Sequence, residues 1–184
     1  MSPRDPYAPL DVLDALEVGP VRLGRDRLAA PCTVRPRRGP PATLVLRFRW
    51  EEPVFTPGEP ASENLAAMIA AQASLNYGLF TRRLVFRGPF DAADRRFLAD
   101  MAENTAREIL VNRLLVPNEY LTGAAASLAP ATQETYCRAS LEFPDAPPGD
   151  LPAWDTDPGR HLVLSSGGKE SLLTFGLLQE LGRE

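Results

Sequence analysis

The stretch HLVLSSGGKESLLTFGLL, residues 161–178, passes from an apolar run through a Ser-Ser-Gly-Gly turn into a lysine-led run that is again apolar. HLVLSS has the continuous apolar character of a buried parallel strand, opening at His161. KESLLTFGLLQEL is helical in pattern, with Gly182 as its natural stop. Strand, glycine turn and helix make one βα unit. Gly167 and Gly168 let the backbone bend tightly and approach an oxyanion with no Cβ in the way, and a helix start offers unpaired N–H groups and a partial positive charge. Ser165 and Ser166 add hydroxyl donors and Lys169 a mobile cation, so the turn has the chemistry of an anion cradle.

Working outward from this turn, residues 144–160, PDAPPGDLPAWDTDPGR, hold five prolines and two glycines. That composition suits neither a helix nor a central strand and predicts an interdomain linker. Upstream of it, 117–143 is Ala/Thr/Ser-rich, with one strand expected in TYCRASLEF. DAADRRFLADMAENTAREILVNRLLV, ending before Pro117, is the strongest helical pattern. Phe97, Leu98, Met101, Ala102, Ile109 and Leu110 recur at helical spacing behind an Asp91/Asp94 cap. RRLVFRG predicts a short strand ended by Gly88-Pro89. A further helix is expected to start at Ser62 as N-cap, with Glu63 in its first turn, and to run until Gly78. Residues 10–55 read as β-rich, with short runs at LEVGPVRLG, LAAPCTVRP and ATLVLRFRW. In the last of these Leu44, Leu46 and Phe48 alternate with Val45, Arg47 and Arg49, the pattern of a half-buried strand. The expected organisation is therefore an α+β domain over 1–143, built from short β-strands plus two main helices, a linker over 144–160, and the start of a second domain over 161–184.

Composition narrows the chemistry. The formal charge of the 184-residue chain is −4, its charges are interspersed, and no basic run tracks a nucleic-acid backbone, so no nucleic-acid partner is expected. No basic-then-apolar leader and no run of about 18 apolar residues is present, which predicts a soluble, cytoplasmic protein without a membrane partner. Cys32 and Cys137 are too far apart in sequence for a CxxC pair and read as reduced and structural. His161 is the single histidine. Any Ser-His-Asp relay would have to use it, multi-histidine metal sites are excluded, and its position reads as an ordinary strand end. Gln72, Asn76, Asn104 and Asn112 fall on or near the helices, where they would either line a site or be solvated.

Known phosphate motifs can be tested against the turn. Walker A requires G-x-x-x-x-G-K-[ST], but Val163 stands five positions before Gly168 and Glu170 occupies the place of the magnesium-binding Ser/Thr. The Rossmann G-x-G-x-x-G spacing is absent, because the two glycines are adjacent and the next is Gly176. The stretch instead resembles the S-G-G-x-D-S pyrophosphate loop of the N-type ATP pyrophosphatases, the PP-loop superfamily. Ser166, Gly167, Gly168, Lys169 and Ser171 match, with Glu170 where an aspartate is usual.

This resemblance covers about seven residues and implies the following expectations. The fold after the linker would be the first βα unit of a doubly wound α/β PP-loop domain, truncated because a single unit cannot complete such a sheet. Ser166, Gly167, Gly168 and Ser171 would bind the pyrophosphate of ATP, Lys169 would contact phosphate, and Glu170 would lie near Mg2+ or the loop backbone. The reaction would adenylate a carboxylate of a small-molecule substrate and release pyrophosphate. More narrowly, the β-rich start followed by helices and an LSSGGK-acid-S-LL loop resembles the ATP-dependent epimerases acting on UDP-N-acetylmuramoyl-L-alanyl-L-glutamate in peptidoglycan synthesis. No catalytic base is identifiable, and a truncated chain would be inactive alone. The alternative is a non-catalytic α+β binding or interaction module in which the Ser-Gly-Gly helix start is coincidental.

Overall fold

Between residues 13 and 49 apolar, β-branched and arginine residues alternate, and four strands form there: β1 (Leu13–Val18), β2 (Arg22–Leu23), β3 (Arg27–Pro36) and β4 (Ala42–Arg49). Helix α1 (Pro60–Gln72), strand β5 (Arg83–Phe86), helix α2 (Ala92–Ile109), strand β6 (Ser140–Glu142) and helix α3 (Lys169–Glu180) follow. The computed structural model describes residues 5–116, 119–149, 151, 157, 159–161, 163 and 168–182. Two compact units, Met1–Pro152 and Ala153–Glu184, divide the chain. Among the described residues the fold is α+β, with one mixed six-stranded sheet and three α-helices.

Strand β3 organises the sheet. On one side it pairs antiparallel with β4, from Arg27↔Arg49 to Val34↔Ala42. On the other it pairs antiparallel with β1 and then β2, so that Val18 faces Cys32 and Arg22 faces Ala29. The break between β1 and β2 falls at Gly19, whose φ of +94° and cis bond to Pro20 redirect the chain. A Cβ on Gly19 would lie 2.5 Å from the Arg87 carbonyl oxygen, so the close approach of the two segments requires glycine there. Strands β5 and β6 extend the sheet in parallel from β1, and each parallel connection contains a helix, as such crossovers require.

Helices α1 and α2 cover one face of this sheet. Ala66, Ala67, Ala70 and Ala71 of α1 are buried, and these small side chains let the helix approach the strands closely. On α2, Leu98, Ala102 and Ala106, with Leu110 directly after, repeat every fourth residue and are fully buried. Leu98 and Ala102 join Leu16, Val18, Ala30, Leu84 and Phe86 from the sheet, while Ala106 and Leu110 pack with Tyr7, Leu10 and Leu79. Phe86, Phe90 and Phe143 form an aromatic triad with ring centroids 5.4–6.1 Å apart. The loop before β6 is tied to α2 by Glu103, whose carboxylate accepts the backbone N–H groups of Tyr136 and Cys137, both at 2.8 Å.

Several expectations need correction. Helix α1 begins at Pro60, not at Ser62: proline fits the first helical position, and the Ser62 hydroxyl accepts the Thr56 N–H at 3.0 Å. The helix stops at Gln72, and Gly78 lies inside a 3-10 segment, Leu75–Leu79, where its carbonyl accepts Arg138 and Ala139 N–H groups. Gly78 is thus a docking point for the β6 approach and not a helix stop. Leu44 is 67% exposed and Phe97 44% exposed, since apolar cover of β4 begins only at Leu46 and α2 buries the Leu98 edge. The Asp91/Asp94 capping box, β5 and Gly182 fall where expected. His161 and Val163 lie in no strand, while Leu162 and 164–167 lie outside the described residues. No helix of the described residues is long and apolar enough to cross a membrane.

Candidate anion site

Helix α3 starts at Gly168, the N-cap, with extended φ/ψ of −82° and 164°. The Gly168 carbonyl accepts the Ser171 hydroxyl at 2.9 Å and the Leu172 N–H at 3.4 Å. Among the described residues no side chain caps this helix. An α-helix leaves its first N–H groups without intrahelical acceptors, and the Lys169 and Glu170 amides are among these at the start of α3. Of the six residues of the expected loop, the structure therefore brings Gly168 and Ser171 into direct contact and sets Lys169 and Glu170, both exposed, in the same first turn. Ser166 and Gly167 lie outside the described residues. Glu170 places a carboxylate at the positive end of the helix.

The remainder of α3 is apolar and uncovered. Leu172, Leu173, Phe175, Leu177 and Leu181 are all between 50% and 71% exposed, and none of the helix's residues is buried. A helix apolar on several sides is of the kind normally buried between other elements.

The remaining candidate residues do not assemble. Gln72, Asn76, Asn104 and Asn112 are all exposed, and Asn112 is bonded to Glu108 one turn back on its own surface. Asn64, which carried no signal in the sequence, is the buried amide. It donates to the Pro89 carbonyl at 2.8 Å and to Asp94 Oδ2 at 2.6 Å, locking α1 to the start of α2. Cys32 and Cys137 are free thiols, and burial pushes both above the ordinary thiol range, where they are poor nucleophiles. No cluster of three or more His, Cys, Asp or Glu side chains able to hold a metal occurs among the described residues.

A second charged feature was invisible in the sequence. On the sheet face opposite the helices, the β3 register sets Arg27 beside Arg49, and sets Ala29 between Arg47 and Arg22. The four arginines line one concavity of about 420 Å³ together with Leu23, Gly24, Leu28, Ala29 and Phe48. Read along the chain, Arg47 and Arg49 are only the polar phase of a strand; pairing alone brings Arg22 and Arg27 to them. No family model, no curated protein and no solved structure matches this chain.

Proposed function

We propose that the chain carries the pyrophosphate loop of an ATP-dependent enzyme, which activates a carboxylate of a small-molecule substrate as its adenylate and releases pyrophosphate. The carrying observation is the start of α3: a glycine N-cap with no side-chain cap, inside the sequence SSGGKES. Its donors fit the phosphate end of a nucleotide. Gly168 brings no Cβ to the approach, the Lys169 and Glu170 amides have no intrahelical acceptor, and Lys169 is exposed. The Ser171 hydroxyl, held against the Gly168 carbonyl, stiffens the turn that presents these donors.

Mg2+ fits less directly. Glu170 is the acidic side chain of that first turn, so the ion would rest chiefly on phosphate oxygens, with Glu170 as the carboxylate nearest to hand. Bound there, ATP and Mg2+ supply an activated α-phosphorus and a neutralised leaving group. The apolar flanks of α3 support the same reading, because the helix after a pyrophosphate loop lies against a parallel sheet. The narrower reading, epimerisation of the terminal glutamate in a UDP-linked muramoyl dipeptide, rests on the order of elements and the loop sequence.

The test is pyrophosphate release from Mg-ATP by the complete reading frame, screened against carboxylates including the muramoyl dipeptide. Release that depends on one carboxylate, and that falls about tenfold or more in Lys169→Ala, the size of one lost charge-assisted hydrogen bond, supports the reading. Absence of pyrophosphate with every carboxylate, or release unchanged in both Lys169→Ala and Glu170→Ala, overturns it.

A further inference from the structure

We propose that the arginine-lined concavity on the sheet of the first unit is a second anion site, one that takes a small molecule carrying two or three contiguous phosphate groups. The inference rests on unit Met1–Pro152 alone and is independent of the loop at α3.

The register is the first argument. Arg27 and Arg49 are directly opposed across β3 and β4, and like charges in that relation destabilise a sheet. Arg47 and Arg22 approach the same Ala29 from the two flanking strands. Neighbouring strands lie about 4.8 Å apart, so the latter two backbones are separated by roughly 10 Å, within reach of convergent arginine side chains. A chain with net charge −4 thus concentrates four guanidinium groups on one small area. Asp26 is the one carboxylate engaged with them among the described residues, at 3.9 Å from Arg27 and 3.6 Å from Arg49. Arg22 and Arg47 have no ion-pair partner among the described residues. All four residues are exposed, and Asp26 alone among the described carboxylates offsets their mutual repulsion.

The second argument sets the ligand's size and class. Guanidinium forks donate in pairs to phosphate oxygens. The oxygens of one phosphate group cluster about a single phosphorus and cannot lie against guanidinium groups from strands roughly 10 Å apart as fully as two or three linked phosphates can. A nucleic-acid strand would need the basic track to continue along the face. It is interrupted: the next row sets Pro31 beside Val45, and the one after it sets Thr33 between Thr43 and Glu17 and runs on to Val85 and Glu142, so Arg35 lies beyond both rows, and Arg87 is already committed to Glu17 and Asp145. The patch is the size of a short phosphate chain. Ala29 and Gly24, both in its lining, add little side-chain bulk to the concavity.

Trp50 provides the readout. It follows Arg49 directly and packs on Phe48 and Phe55, with centroids at 6.2 and 5.0 Å. In a Trp154→Phe background its fluorescence would be titrated, without Mg2+, with inorganic triphosphate, inorganic diphosphate, ADP, orthophosphate and a single-stranded oligonucleotide. Saturable binding of triphosphate, diphosphate or ADP is expected, at least about tenfold tighter than orthophosphate. About tenfold should be lost for each of Arg22→Gln and Arg47→Gln, the size of one charge-assisted hydrogen bond. Lys169→Ala with Ser171→Ala should leave this signal unchanged, which separates it from binding at α3. Without ligand, the Arg22→Gln/Arg47→Gln protein should melt no lower than the parent, since it sheds like-charge crowding, but should lose stabilisation by triphosphate. Equal affinity for orthophosphate, tighter binding of the oligonucleotide at equal phosphate, or binding unaffected by the double substitution overturns the proposal.

Discussion

Leu84 and Leu173 are the same residue in two different physical situations. Leu84 lies between β1 and β6 under the helices with no exposed surface, whereas Leu173, on α3, is 65% exposed. The first unit closes its own core: sheet residues, the alanine face of α1 and the four-residue repeat of α2 satisfy one another. In the second unit, α3 has the apolar content of a core helix and no apolar cover among the described residues. The ends of a helix are signalled locally, by caps and breakers, whereas most of its stability comes from burial against a partner surface. The two units separate these requirements, and substitution can test each in turn.

The largest effect is expected in the first core. Phe86 has no exposed surface and touches both Phe90 and Phe143, so Phe86→Ala removes dispersion contacts and leaves a cavity. It should cost about 3–5 kcal/mol in chemical denaturation, monitored by Trp50 fluorescence. A loss under about 1 kcal/mol would mean that the sheet unit does not pack as a single core, and the contrast with α3 would collapse.

Next in size is the strand break. Gly19→Ala must place a Cβ against the Arg87 carbonyl oxygen at a φ of +94°. The substitution should cost about 1–3 kcal/mol, the range for a residue forced into a sparsely populated conformation. Hydrogen exchange should show the loss concentrated where β1 meets β5, at the Arg87 N–H bonded to the Val18 carbonyl.

A smaller, pH-dependent effect is expected at the α2 cap. The Asp94 backbone N–H, 2.9 Å from Asp91 Oδ1, holds the Asp91 carboxyl below the usual carboxylate range. A depressed folded value means that the unfolded chain binds the proton more readily. The stabilisation is therefore fully present above the unfolded value, about 3.9, and is lost as pH falls through the lower folded value. Asp91→Ala should cost about 1 kcal/mol near neutrality, and the difference between parent and variant should shrink in acid. A gap that stays constant down to strongly acidic pH would show that the cap does not act through its charge.

How far the sequence could be read follows the same division between local and non-local terms. The Asp91/Asp94 box, Gly88-Pro89 after β5 and Gly182 after α3 act within a few residues of themselves, and all were legible. The pairing of β3 with both β4 and β1 was not, because register depends on which faces meet, and the arginine concavity depends wholly on register. Asn64 illustrates the same limit: its partners, Pro89 and Asp94, are 25 and 30 positions away. At the candidate loop, the helix start at Gly168 was legible from its glycines. The strand expected before it falls largely outside the described residues, and His161 and Val163, which are described, are not in one.

The smallest expected effect bears most directly on α3. Leu173→Glu changes an apolar side chain that is already 65% exposed, so in this chain it should leave the cooperative unfolding transition within about 0.5 kcal/mol of the parent. Self-association measured by sedimentation should decrease, because a charge interrupts the row formed with Leu172 and Leu177. In the complete reading frame the proposed enzyme makes the opposite demand. A sheet covering α3 would bury position 173 or its neighbours, and scanning Leu172, Leu173, Phe175 and Leu177 to Glu should uncover at least one position costing about 3 kcal/mol or more, the range for an unpaired buried charge. If no position on α3 shows that cost there, the helix is not the first helix of a nucleotide-binding sheet. The apolar surface of α3 would then need a different partner from the one its loop suggests.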